Sequence, residues 1–194
     1  MTTSIIEEYK HIWGENPNIL LNSYKYQIDL TKKLDDLNSN NLSRETLYEI
    51  VLWKLNRFPQ IEDNLLEELK EIKSIEPKEH RVAKPLLRRL LQCPGIALPM
   101  ASTILRFINP ETFQIIDDRV FRVVYKDEKS RYPNKPATVN ERFLEKSANI
   151  YFEYLDALHK LSCNKLPFRN SDRILYVLDI KLDNRIGGRK RTKL

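Results

Sequence analysis

An all-α fold is what this sequence predicts, and three observations predict it. Leu, Lys and Glu dominate the chain while glycine is held to 4 of 194 residues, the composition of a mostly helical protein. Apolar residues return at three- and four-residue intervals in one segment after another, the spacing that puts them on one face of a helix. Runs of β-branched residues, the material of a sheet, are few and short.

The elements follow in order. A helix over 3–13 carries Ile5, Ile6, Tyr9 and Trp13, and Gly14 stops it. Asn16-Pro17 pairs a capping side chain with proline at the first helical position. It opens a run through Leu20, Leu21, Tyr24, Ile28 and Leu34 that fades at Asp35-Asp36, before a polar loop over 38–41. Ser43 caps the next helix, with Leu47, Ile50, Val51, Leu55 and Phe58 at helical spacing and Pro59 at its end. A helix over 61–75 places Leu65, Leu66, Leu69 and Ile72 on one face. Pro77 opens another, running to Gln92 and burying Leu86, Leu87, Leu90 and Leu91; Pro85 inside it predicts a break or kink. Pro94-Gly95 cannot continue that helix, so a new one starts at about Leu98, with Pro99 tolerated in its first turn. Asp117-Asp118 opens a further helical segment. Residues 126–137 form a polar loop with Pro133 and Pro136, and Thr138 with Glu141 makes a capping box. The long helix beyond it carries Phe143, Ile150, Tyr151, Tyr154, Leu155 and Leu158 to Leu161. The last run, ILYVLDIKL, suits a buried helix or a strand and is assigned to a helix opening at 170–172.

A chain of this length, 41% hydrophobic, buries one sizeable core with room for two lobes, so residues 1–184 are expected to form a single helical domain. No apolar run approaches the roughly 20 residues needed to span a bilayer, and the acidic N-terminus lacks a signal-peptide stretch. A soluble, cytoplasmic protein with no membrane partner is the expectation. Cys93 and Cys163 are too few for a disulfide framework or a four-cysteine metal site, and both are expected as buried free thiols. His11, His80 and His159 are scattered, each expected on a helix surface. No cofactor and no metal is predicted.

The net charge of +6 is uneven. The stretch 185–194, RIGGRKRTKL, is a basic tail whose Arg185, Arg189, Lys190, Arg191 and Lys193 leave the remainder near neutrality. A second basic cluster, Lys78, Arg81, Lys84, Arg88 and Arg89, leads into the Pro94-Gly95 turn. Basic residues beside such a turn suggest nucleic acid; a solvated helix face with an unstructured tail has the same pattern.

The turn itself can bind an anion. A helix N-terminus presents unpaired amides and partial positive charge, and Gly95 lets the backbone approach a phosphate. A plain corner between two core helices fits the same residues. The stretch Leu90 to Tyr125 holds more than a corner, however: CPGIALPMASTIL is followed, after a Pro-containing loop, by IIDDRVFRVV. This order resembles the helix-hairpin-helix DNA glycosylase superfamily, of which endonuclease III is a member, over about Leu86 to Val124. Cys93-Pro94-Gly95-Ile96-Ala97 matches the family's hairpin, Asp117 falls on its catalytic aspartate, and Val120-Phe121-Arg122-Val123 matches the helix after it.

The resemblance implies a protein that holds duplex DNA by its phosphates and flips out a damaged base. Pro94, Gly95, Ile96, Ala97 and Leu98 would meet the phosphate, with Lys84, Arg88, Arg189, Lys190 and Arg191 adding charge. Asp117 would stabilise the cationic sugar of the transition state and activate water, held ionised by the helix dipole and local amides. A cap of the following helix is the alternative for that aspartate. Two departures limit the analogy. The lyase lysine of bifunctional members falls on Pro99, so Schiff-base chemistry is not expected; Ala97 replaces the second hairpin glycine and Pro99 removes an amide donor. The family's iron–sulfur cysteines are absent too. Trp53, Arg57 and Phe58 could line a base pocket by stacking, though such residues on an amphipathic helix usually pack in a core. Gln114 could read a base edge, and Asp172-Arg173 is simplest as a cap with a surface arginine. A monofunctional DNA glycosylase, a non-catalytic nucleic-acid binder and a helical interaction protein are the three functions this sequence admits.

Overall fold

Helix follows helix through the residues that the computed structural model describes, namely 5–37, 42–55, 59–126 and 132–182. They contain α-helices, short 3-10 helices and no strand; one isolated bridge joins Cys163 to Leu166. The fold is therefore all-α, as composition and periodicity predict. No helix among the described residues is long and apolar enough to cross a membrane. The chain divides into two compact units, Met1–Phe58 and Pro59–Leu194.

In the first unit the expected helix over 3–13 is two short ones, α1 (Ile5–Glu8) and α2 (Lys10–Trp13). Gly14, at φ 63°, closes α2 with its amide on the Lys10 carbonyl. Asn16 caps the next element as predicted, its side chain accepting from the Asn18 amide, but that element is a 3-10 helix, Pro17–Ser23. The α-helix α3 starts only at Ile28 and ends at Asp35. The interruption places Tyr26 against α4 (Arg44–Lys54), where its hydroxyl donates to the Trp53 carbonyl at 2.7 Å. Its ring meets the Trp53 indole edge-on, and the indole N–H donates to Thr31. Trp53 is half-buried and bonded within this unit, to Tyr26 and Thr31. Ser43 caps α4 through the Thr46 amide, as read from the sequence. Arg57 and Phe58 lie outside the described residues, as does the whole basic tail with Arg185, Arg189, Lys190, Arg191 and Lys193.

The second unit holds α5 (Asp63–Glu71), which tightens into a 3-10 turn, Ile72–Ser74, and α6 (Lys84–Gln92), preceded by a 3-10 turn, His80–Ala83. Pro85 does not kink a helix. It stands in the first turn of α6, where its missing amide has no intrahelical partner to lose. Then come α7 (Leu98–Ile108), α8 (Asp118–Tyr125), α9 (Glu141–Leu161) and α10 (Phe168–Lys181). Asn140, not Thr138, caps α9, accepting from the Phe143 amide at 2.9 Å. The ILYVLDIKL run is helical, as assigned, and its helix begins at Phe168.

The long α9 is the spine. Ala148, Tyr151, Leu155 and Leu158 are fully buried in one cluster with Leu87, Leu90 and Leu91 of α6 and Leu105 of α7. Ile96, Phe113 and Ile116, from the segments between helices, complete the same core. Each such side chain contributes about 1.5 to 3 kcal/mol by leaving water, so the hairpin and the Asp117 segment are parts of the core, not appendages to it.

Two side-chain expectations are overturned. Cys163 is an exposed thiol, and Cys93 is half-buried. His80 and His159 do not both sit on the surface: His80 is buried, stacked between Phe152 and His159, and His159 lies flat on Phe168 with centroids 3.8 Å apart. His80 Nε2 lies 3.0 Å from the Asp156 carboxylate. Burial lowers both imidazole pKa values, that of His159 to about 4. The sign follows directly. The unfolded chain takes up these protons at ordinary histidine pH and the folded chain only well below it. The stability is therefore complete above about pH 6.5 and drains as pH falls toward 4. The stability of the wild type against urea should fall between pH 7.5 and 5, and by clearly less in His159→Phe. Equal slopes in the two proteins would remove the stacked pair as the acid-sensitive element.

Candidate active site at Asp117 and the hairpin turn

The turn between α6 and α7 has the geometry that Pro-Gly dictates. Gly95 sits at φ 81° and the Ile96 amide donates back to the Cys93 carbonyl at 3.2 Å, as in a type II turn with proline second and glycine third. The Ile96 side chain is fully buried, which anchors the turn in the core. Ala97 then takes extended backbone as the N-cap of α7, with no side chain to cap it, and Pro99 lies in the first turn. Leu98 and Met100 accordingly have amides with no intrahelical acceptor. Because the turn uses the Ile96 amide itself, the anion-binding potential of the corner rests on the residues after it.

Asp117 is the N-cap of α8. Its backbone is extended, at φ −138° and ψ 171°, and its Oδ1 accepts from the Val120 amide at 2.8 Å. The carboxyl is half-buried, and here the structure corrects the electrostatic expectation. Burial, the largest influence, pushes its pKa up, outweighing the amides of Val120 and Arg119, while the neighbouring Asp118 carboxylate pushes it further up and the Arg119 cation pulls it down. A reaction needing ionised Asp117 therefore fails, on acidification, at higher pH than an ordinary aspartate would dictate. In the pH–rate profile, Asp118→Asn should move that acid limb downward, because a repelling charge is gone. A limb that stays in place would show that another group controls it.

The segment that delivers Asp117 is held through its backbone, one group after another. Tyr151 of α9 donates its hydroxyl to the Gln114 carbonyl at 3.0 Å, and Tyr154 donates to the Ile115 carbonyl at 2.6 Å. The Ile115 amide points to Asp172 of α10, and the Ile116 amide donates to Ser102 of α7 at 3.1 Å. The Ser102 hydroxyl in turn donates to the Pro99 carbonyl in the first turn of α7. One short chain of bonds thus runs from the hairpin helix to the residue beside Asp117. At the other end of the loop, Asn109 and Thr112 donate to the carbonyls at the end of the 3-10 turn after α5, including Ile75. Both tyrosine hydroxyls are held un-ionised by burial. A carboxylate placed this way loses little freedom on binding a substrate, which is what electrostatic catalysis requires.

The helix that Asp117 opens is fastened from below. Asp179 of α10, fully buried, accepts from Arg119 at 2.8 Å and from both Nε and Nη2 of Arg122, at 3.0 and 2.6 Å. Arg119 also lies over the Tyr176 ring. A second buried acid, Asp172, faces Arg106 at 3.4 Å, so Asp172 is a buried partner on the inner face of α10 and not a cap. Gln114 is buried as well, its amide donating to the Pro110 carbonyl, which places it inside the core.

The other predicted contacts fall in two groups. Pro94, Gly95, Ile96, Ala97 and Leu98 form the corner just described, on the same unit as Asp117 and bonded to its segment through Ser102. Lys84 and Arg88 are already paired across the α6–α9 interface: Lys84 with Glu145 at 2.6 Å, Arg88 with Glu141 and with Glu145 at 3.1 Å. Arg81 pairs with Asp156, and Arg89 with Glu68. Among the described residues no group of three or more His, Cys, Asp or Glu is arranged to hold a metal ion. One surface groove lies beside Ile72, Val82 and Leu86, and another beside Arg142, Lys146 and Ile150; neither is lined by Asp117.

Sequence reasoning missed Ser102, Tyr151, Tyr154, Asp172 and Asp179. The only advance signal was chemical: an acid at 179 inside an apolar run, and arginines at 119 and 122 on one helix face, are residues that need buried partners. Comparison with protein-family models, with curated proteins and with solved structures returns no match.

Proposed function

We propose that this chain is a DNA-binding protein of the helix-hairpin-helix glycosylase type, acting as a monofunctional DNA glycosylase with Asp117 as its catalytic carboxylate. The observation that carries the reading is the position of Asp117: a half-buried acid with a raised pKa, on a segment tied residue by residue to α7, α9 and α10 and linked by Ser102 to the hairpin helix. In this reading the corner at Pro94–Leu98 holds a backbone phosphate and a damaged base leaves the stack. Asp117 then balances the positive charge that grows on the sugar as the glycosidic bond breaks, and helps water attack it. Pro99 offers no amine, so the product is an abasic site and not a nicked strand.

A specific observation also supports a second reading, a DNA-binding protein without catalysis: Asp117 has a sufficient structural role as the cap of α8. Duplexes bearing uracil, alkylated or oxidised bases, scored for abasic sites after alkali, separate the two. Release of a base supports the enzyme. Binding that weakens steeply with salt, without release, supports the binder; no affinity even at low salt sinks both.

A further inference from the structure

Lys135, in the loop after α8, reaches the hairpin turn. The Lys135 ammonium donates to the Cys93 carbonyl at 2.6 Å and to the Ile96 carbonyl at 2.8 Å, the two oxygens that bracket the Pro94-Gly95 turn. Pro133 and Pro136 flank it and narrow the conformations of its backbone. We propose that Lys135 is the positioning residue of the hairpin: its ammonium locks the turn and cancels the carbonyl charge there, so that the corner accepts a DNA phosphate. This rests on the DNA-binding reading above.

The physical case is one of sign and geometry. The C-terminal end of α6 carries partial negative charge, and the Cys93 and Ile96 carbonyls stand in the short stretch between that end and the start of α7, where an anion would have to approach. Left alone, they would repel a phosphate. The Cys93 oxygen already accepts the Ile96 amide, so the ammonium adds a second, charge-assisted bond to the same atom and joins it to the Ile96 carbonyl. Both ends of the turn are thereby held by one group. An ammonium has three donors and these two carbonyls take two of them. Lys135 also differs from the cations predicted from sequence to meet DNA. Lys84 and Arg88 are matched by carboxylates, whereas Lys135 is matched by neutral carbonyls. Its surroundings are partly dry, and burial lowers its pKa.

The test uses the full chain, a short fluorescent DNA duplex at low salt, and amide hydrogen exchange of Ile96. Lys135→Ala should raise Ile96 exchange about tenfold and weaken duplex binding about tenfold, while Lys135→Arg keeps most of both. Ammonium chloride should restore exchange protection and affinity to Lys135→Ala. Tetramethylammonium chloride at the same ionic strength should not, because it carries the charge without a donor. Rescue by the two salts alike, unchanged exchange in Lys135→Ala, or faster exchange with unchanged affinity would each overturn the proposal. Wild-type affinity is read separately. If the unmodified chain does not hold the duplex, the DNA-binding reading falls and this role falls with it; if it does, the ratio of variant to wild type decides Lys135 alone.

Discussion

Asp117→Asn should lower the rate of base release by about a hundred- to ten-thousandfold while leaving the fold intact. The two halves of that expectation come from different properties of one side chain. Asparagine caps a helix about as well as aspartate does, so the bond from the Val120 amide survives and α8 keeps its start. What asparagine lacks is the negative charge, and a positioned charge beside a developing sugar cation is worth the larger share of such a rate. Asp117→Ala should lose the rate and, in addition, about 1 kcal/mol of stability through the missing cap. Single-turnover cleavage of the best lesion duplex, run beside thermal unfolding of the same samples, measures both. A normal rate in Asp117→Asn would remove catalysis from Asp117 and leave it as a cap. A low rate with a collapsed melting transition would instead assign the effect to folding, which is why the alanine variant is needed as the reference.

The largest effect on stability is expected at Asp179. Removing this carboxylate takes away the buried acceptor that Arg119 and Arg122 share, and breaking one side of such a cluster costs about 3 to 5 kcal/mol. For a domain with a total stability of roughly 5 to 15 kcal/mol, that is a large part of the whole. Asp179→Ala should therefore unfold at much lower urea. The triple variant Asp179→Leu, Arg119→Met, Arg122→Met should recover most of the loss, since it removes both sides of the pairing together and adds apolar contact between α8 and α10. Recovery would identify the penalty as unpaired charge. If Asp179→Ala costs less than about 1 kcal/mol, the cluster does not fasten α8, and the support assigned to Asp117 from below is absent.

The course of the chain was legible wherever a local rule decides the outcome. Pro94-Gly95 stops one helix and starts another, Asp117 opens α8, and Leu161 ends α9, because caps, proline and glycine act on their own neighbours. Local rules also failed locally. The helix expected from Pro77 begins only at Lys84, where Pro85 marks the break, because a proline sits in a first turn without losing a bond. The first unit broke α3 away from Asn16-Pro17 because Tyr26 is held on Trp53, a contact between residues 27 apart.

The candidate site was legible as a position and not as a construction. Asp117 and the hairpin stand out in the sequence, but Tyr151 and Tyr154 look like ordinary core residues on an apolar helix face. Their rings are core; only their hydroxyls, reaching carbonyls 37 and 39 residues away, do the positioning. The pairing of the basic cluster was hidden for the same reason. Lys84 and Arg88 resemble exposed cations until α9 brings Glu141 and Glu145 to them.

By itself, then, the sequence determined that the described chain is helical, where α4, α7 and α8 begin, and which carboxylate stands at the head of α8. These follow from periodicity and capping, which need only a few neighbouring residues. The tertiary structure decided the direction of that carboxylate's pKa shift, the side chains that pin its segment, the pairing of Arg81, Lys84, Arg88 and Arg89 with acids, and the placing of Lys135 on the turn. Each depends on burial or on a partner dozens of residues away, and a pKa or an ion pair has no value until the surrounding dielectric and the opposing group are in place.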